Sequence, residues 1–263
     1  MELAGNTRIS GIPACSCLAG RQAAGRLRSP DAPTFQSESR LSQRRTSGLG
    51  RRRIKLVIFD LDGTLIDAYD AIVESFNYTM RKIGIRQRSY QTIKRAVGWG
   101  DRGLLCPFVP EDKLGMALKI YQTHHKNSLS KYTRFLPGAK EVLRYLKNRG
   151  YQLAVASNRP KDFTQIVIRK LKLKHFFDYV LCGNELKRAK PHPDILLKII
   201  RKLAIKKKEA LYVGDMTIDV NTGKNAGIRT IAVTTGSSSR RELAKLKPFI
   251  LLKNVSGLVK MLS

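Results

Sequence analysis

Short apolar runs recur along the chain beyond residue 53, at residues 54–59, 151–156, 178–182, 209–213 and 228–233. Each is strand-sized and the segments between them read as helices, so the alternation predicts an α/β fold, a parallel doubly wound sheet with a Rossmann-like core. One interval breaks the alternation: from Asp67 to Lys131 no strand signal appears. Ala71, Ile72, Ser75, Phe76, Thr79 and Met80 share one face at i, i+3, i+4 spacing, in a helix that ends at Gly84. Further helices are predicted over 89–97 and 110–127, the second with Met116, Leu118, Ile120 and Tyr121 available for packing. Pro137-Gly138 supplies a stop and turn before a helix over 139–148. The expected organisation is a core of residues 54–67 and 135–263 with an inserted all-helical cap of residues 68–134, hinged near 64–68 and 135–138.

The strand ends carry the candidate chemistry. Asp60-Leu61-Asp62-Gly63-Thr64 directly follows Leu56-Val57-Ile58-Phe59. An i, i+2 spacing on a continuing strand aims both carboxylates to one face, and Gly63 lets the chain turn away at once. Two like charges that close call for a cation between them, or for one acid held protonated. The plainer alternative is a strand followed by an Asp-Gly turn, with Asp62 an ordinary turn former. Three later segments weigh against it. Tyr151–Ala156 ends in Ser157-Asn158, and Leu211–Val213 ends in Gly214-Asp215 with Asp219 four residues on. Between them, the two prolines of Lys190-Pro191-His192-Pro193-Asp194 hold off helix until about Asp194 and place Lys190 on a loop. Alone, Ser-Asn reads as a helix cap, and one lysine in a lysine-rich chain as surface.

In order and rough spacing, this set resembles the haloacid dehalogenase superfamily of phosphohydrolases, from about Ile54 onward. The resemblance implies that the strand carrying Asp60 lies centrally, flanked by those ending at Ser157 and Asp215. It implies Asp60 as nucleophile, forming an aspartyl-phosphate, and Asp62 as the acid that starts protonated and then serves as base. The repulsion of several carboxylates toward a phosphate dianion calls for a divalent cation, and hard oxygen ligands favour Mg2+. Its expected ligands are Asp60, the backbone carbonyl of Asp62, Asp215 and Asp219. Ser157, Asn158 and Lys190 are expected to hold the phosphoryl group. The inserted helices resemble the family's cap, and Gly98-Trp99-Gly100-Asp101-Arg102-Gly103 resembles, in position, the substrate-selecting cap loop of the phosphoglycolate phosphatase-like branch. Trp99 and Arg102 are its specificity candidates, set against a plain interhelical turn. Two departures stand out: Met216 where the family usually has a small polar residue, and Arg159-Pro160 after Ser-Asn.

The implied activity is a magnesium-dependent phosphomonoester hydrolase acting on a small phosphorylated metabolite. A phosphosugar mutase using the same Asp60 and Asp62 is the alternative within the class. From another class, the net charge of +30 suggests a basic nucleic-acid-binding protein that retains the fold. Lys170-Leu171-Lys172-Leu173-Lys174 and Lys206-Lys207-Lys208 are its candidate patches, but the basic residues are dispersed and lack interleaved aromatics.

Residues 1–53 differ in kind, with 10 Arg, no Lys and 3 acids. They read as a disordered basic leader, either a targeting segment or a non-native extension. No apolar stretch reaches membrane-spanning length, and Cys15, Cys17, Cys106 and Cys182 form no Cys-x-x-Cys pair, so a cytoplasmic, reducing setting is expected. His124 and His125 are expected at the surface and His192 on a loop, because no carboxylates stand at ligand spacing.

Overall fold

The structure is a computed structural model that describes residues 54–263. The leader expected over residues 1–53 lies outside the described residues. Six parallel strands form the central sheet: β1 (Leu56–Phe59), β4 (Gln152–Ser157), β5 (Tyr179–Cys182), β6 (Ala210–Gly214), β7 (Arg229–Val233) and β8 (Ile250–Leu252). Their order is β5-β4-β1-β6-β7-β8, so β1 lies between β4 and β6, with Phe59 level with Val155 and Val213. That register brings Asp60, Ser157 and Gly214 to one edge of the sheet.

Alternation along β1 feeds two cores. Val57 and Phe59 face one side, with α5 (Ala139–Asn148), α6 (Lys161–Lys170) and α10 (Gly257–Leu262). Leu56 and Ile58 face the other, with α7 (Asp194–Lys202) and Ala226 of α8 (Thr217–Ala226). Both sides of the sheet are covered, which is why its strands are apolar throughout rather than alternating. α9 (Arg240–Lys245) packs Leu243 against Val220 and Ala232.

The insertion leaves and returns through a two-stranded antiparallel ribbon, β2 (Ile66–Asp67) and β3 (Arg134–Phe135). Arg134 fastens it, 2.7 Å from Asp67 and 2.9 Å from Asp70. Between these strands lie α1 (Tyr69–Lys82), α2 (Tyr90–Ala96), α3 (Gly100–Leu105) and α4 (Glu111–Tyr132). They bury an apolar cluster of their own, with Ile72, Phe76 and Met80 from α1 against Ile93, Leu105 and Tyr121. Ser89 starts α2 as predicted by its side chain, which accepts a hydrogen bond from the Thr92 amide. The chain is therefore a doubly wound parallel α/β core with an inserted all-helical cap.

Three local expectations need correction. Residues 100–105 form a helix rather than a continuous glycine-rich loop, because Leu104 and Leu105 are drawn into the cap core. The last cap helix runs to Tyr132, since His125, Ser128 and Leu129 continue the buried stripe of Leu114, Ala117 and Tyr121. Met116 is 52% exposed, one position off that stripe. The strand β8 was also missed, its three residues being too short to register as a pattern. Among the described residues no helix is long and apolar enough to cross a membrane.

Ile58 is fully buried in the core beneath α7. Ile58→Ala is expected to cost about 2–5 kcal/mol in urea unfolding, whereas Met116→Ala should stay within about 0.5 kcal/mol. Equal effects would refute this assignment of faces.

Candidate active site

Asp60 continues β1 past its last paired residue, and its amide donates to the carbonyl of Val213 (2.8 Å), which holds it against β6. Lys190 reaches it from the loop before α7. Its Nζ lies 2.7 Å from Asp60 Oδ1 and 2.8 Å from Asp219 Oδ1, with the Ala156 carbonyl at 3.2 Å and the Tyr212 hydroxyl at 3.1 Å. The ammonium is 4% exposed. Burial works against its charge, but Asp219 and Asp60 hold its pKa above the ordinary lysine value.

Asp219 is fixed on both oxygens. Tyr212 donates its hydroxyl to Oδ1 (2.6 Å) and the Met216 amide donates to Oδ2 (3.0 Å). Asp215, at the carboxyl end of β6, accepts from the Thr64 hydroxyl (3.0 Å) and the Ser237 amide (3.2 Å). Two glycines make room for it. A Cβ on Gly63, whose φ is +78°, would come 2.6 Å from Tyr69 Oη and 2.7 Å from Asp215 Oδ2, and one on Gly236 would collide with the same carboxylate.

Asp60, Asp215 and Asp219 each offer an oxygen, all within 4.8 Å of one another and all buried. Burial pushes the Asp60 carboxyl up to about 7, with Lys190 opposing and Asp219 adding to the rise. Asp215 is raised well above the usual carboxylate range by burial and by Asp60 and Asp219. One ammonium thus leaves negative charge unbalanced, and this oxygen-only donor set suits a hard divalent cation. Tyr69 Oη and Ser237 Oγ are buried without a hydrogen-bond partner among the described residues. Both stand beside Asp215, where magnesium, which keeps several waters, would give them partners. The residues present fit the ion.

Asp62 is placed differently. Its side chain is gripped by Arg159, Nε to Oδ2 at 2.9 Å and Nη2 to Oδ1 at 2.5 Å. It stands outside the three-carboxylate cluster, which leaves only its backbone carbonyl for a metal. Arg159 in turn donates from Nη1 toward His125 Nε2 (3.3 Å). His125 is buried, stacked on Tyr121 at 4.8 Å and edge-on to Phe163 at 5.1 Å. Its expected surface position is corrected. Burial and the neighbouring guanidinium hold its pKa well below the ordinary value, so it is a neutral acceptor. The signal was in the sequence, since His125 follows Tyr121 by one helical turn. His124 is half-buried, stacked on Tyr78 at 4.0 Å, and His192 lies in a loop as expected.

A cavity of about 60 Å³ opens above Asp60, lined by Asp62, Ser157, Asn158, Arg159 and Lys190 from the core. Asn158 lines it but spends its amide elsewhere, donating to the carbonyls of Gly98 (3.0 Å) and Lys190 (3.2 Å) while its oxygen accepts from the Lys190 amide (3.0 Å). The cap loop contributes Gly98, Gly100 and Asp101. A Cβ on Gly98 would collide with Met216 Sδ and Cε, so this loop lies directly on that side chain. Trp99 and Arg102 do not line the cavity. Trp99 is 39% exposed, and Arg102 pairs with Glu111 at 2.6 Å. On the far side Arg95 of α2 joins cap to core, 2.6 Å from the Ser237 carbonyl and 2.5 Å from Glu242.

An acid, a lysine and a serine converging at the carboxyl ends of parallel strands beneath a helical cap define a capped α/β phosphatase. The family profile described as haloacid dehalogenase-like hydrolase matches residues 57–233, and the chain belongs to that family. It is 31% identical over 215 residues to a pyrophosphatase PpaX of Bacillus cereus, covering 80% of this chain and 97% of that one. Phosphoglycolate phosphatase 1 of Pseudomonas aeruginosa is 29% identical over 214 residues, 78% of each chain. The crystal structure of a predicted phosphoglycolate phosphatase from Haemophilus somnus superposes with a TM-score of 0.76 at 26% identity, covering 80% of this chain and 98% of that one.

Because Asp60 holds its proton up to about pH 7, a cation must displace that proton below this pH. Calorimetric titration with Mg2+ is expected to show affinity falling by up to about tenfold per pH unit below 7. An affinity that does not change between pH 5.5 and 8 would contradict the assignment.

Proposed function

We propose that this chain is a magnesium-dependent phosphomonoester hydrolase for a small, phosphoglycolate-like metabolite, working through an aspartyl-phosphate. The observation that carries the reading is the buried Asp60–Lys190 pair at the floor of the cavity, beside Asp215, Asp219 and Ser157. Asp60 attacks phosphorus, its oxygen forming a bond as the ester P–O bond breaks. Asp62, held by Arg159 as a carboxylate, takes a proton from the incoming monoanionic ester and passes it to the departing oxygen. It then takes a proton from water, whose oxygen attacks the phosphorus, frees phosphate and restores Asp60. Lys190 and Ser157 steady the phosphoryl oxygens in a site screened from water. Asp60, Asp215 and the Asp62 carbonyl would hold magnesium, with Asp219 closing the site, and the ion would supply the positive charge that lets a phosphate anion approach.

Arg159 gives the acid its bearing, because a forked guanidinium–carboxylate pair fixes both oxygens in one plane. The same reading makes residues 68–134 a lid over residues 54–67 and 135–263, turning about the β2–β3 ribbon.

Asp60→Asn is expected to reduce magnesium-dependent phosphate release to background in a protein that still unfolds cooperatively. Asp62→Asn should lower kcat by about 10²–10⁴-fold on esters with poor leaving groups. Near-normal turnover of phosphoglycolate by either variant would sink the mechanism.

A further inference from the structure

The cavity holds two cations, and only one has been given work on the phosphoryl group. Lys190 stands at the floor against Asp60 and Asp219, where the phosphoryl group is transferred. Arg159 stands higher in the wall, its side chain 5% exposed. A guanidinium carries five N–H donors in a planar fork. Nε and one hydrogen of Nη2 serve Asp62, and one hydrogen of Nη1 serves His125. That leaves one hydrogen on each of Nη1 and Nη2 without a hydrogen bond to any described residue. Asp62 takes the Nε/Nη2 edge, and the hydrogens left to a ligand are those on the two terminal nitrogens. A planar pair of donors is the arrangement that binds a carboxylate or phosphoryl group on two oxygens.

The rest of the wall narrows the ligand. Ile72, Val97, Leu104, Met216 and Ile218 are apolar, so beyond Tyr121 and the polar groups already named the wall offers no side-chain partners for the several hydroxyls of a sugar. Asp101 is the one other acid of the wall. It accepts from Gln122 (3.1 Å), and burial raises its pKa. Neutral His125 behind the guanidinium fixes its plane without adding charge.

We propose that Arg159 is the specificity residue of this cavity, holding Asp62 on one edge of its guanidinium and, on the other, an anionic group carried by the leaving half of the substrate. The substrate class is then a compact phosphoryl compound whose departing oxygen lies near a carboxylate or a second phosphoryl group. This deepens the phosphatase reading and rests on it. It assigns to a core residue the anion recognition expected of Arg102, which is turned to Glu111.

The test compares substrates that differ only in the anion: phosphoglycolate against 2-hydroxyethyl phosphate, with pyrophosphate as the phosphoryl arm. Wild-type protein is expected to favour phosphoglycolate, pyrophosphate or both over the neutral ester by about thirty- to a hundredfold in kcat/KM, largely through KM. Arg159→Gln should bring that ratio close to one, and Arg159→Lys, which keeps the charge without the fork, should fall between. Any general loss from a misplaced Asp62 cancels in the ratio. Should Arg159→Gln turn over nothing, calorimetric binding of phosphoglycolate and inorganic phosphate to Asp60→Asn, with and without Arg159→Gln, replaces the ratio. Loss of phosphoglycolate binding alone is then the supporting result.

A preference that survives in Arg159→Gln, equal loss of both ligands in the binding experiment, or a wild type that turns over the neutral ester equally well overturns the proposal while leaving the phosphatase reading intact. No phosphate release from any of the three by wild-type protein overturns both.

Discussion

The site depends on one buried ammonium. Three carboxylates gathered at the sheet's edge, out of water, repel one another strongly, and Lys190 is the cation the protein itself places against two of them. Removing one partner of a buried pair is far more costly than its net stabilisation suggests, because the other charge stays uncompensated. Much of the neighbouring structure serves that arrangement. The Tyr212 hydroxyl lies between ammonium and Asp219, the Ala156 carbonyl takes a further share of Nζ, and Asn158 pins the Lys190 main chain from both sides. The lysine therefore reaches the cluster from a loop with little freedom of its own.

The same economy shows in the cap. Its core is separate from those of the sheet, and its described polar ties to the core are few: Arg134 across the ribbon, Arg95 to Glu242 and the Ser237 carbonyl, Asn158 to the Gly98 carbonyl, and Arg159 to His125. The Ser237 amide in turn holds Asp215. Cap position is thus felt at a carboxylate of the cluster through a single residue.

The sheet was legible because β1, β4, β6 and β7 are apolar runs that end in small or charged residues, a pattern that full burial on both faces imposes. The floor of the site was legible for a related reason, since strand ends fix residues in space that lie far apart in sequence. Asp60, Ser157 and Asp215 could be read that way, and Lys190 came through its flanking prolines. The cavity wall was not legible. Arg102 and Arg159 are equivalent as letters, and nothing in the sequence shows that Arg159 lines the cavity while the helix beginning at Gly100 turns Arg102 toward Glu111. His125 was read as surface because a single histidine on a helix carries no signal unless its phase relative to Tyr121 is followed.

Gly98 and Met216 come from opposite sides of the cavity and meet where a β-carbon would not fit. Met216 fills this junction from the core, and the missing side chain at 98 is its counterpart. The two positions are therefore linked in the sequences this fold can accept. Enlarging residue 98 demands shrinking residue 216, and a smaller residue at 216 alone opens a void under the cap loop. A change at either position alone would leave this junction worse packed than the pair as it stands.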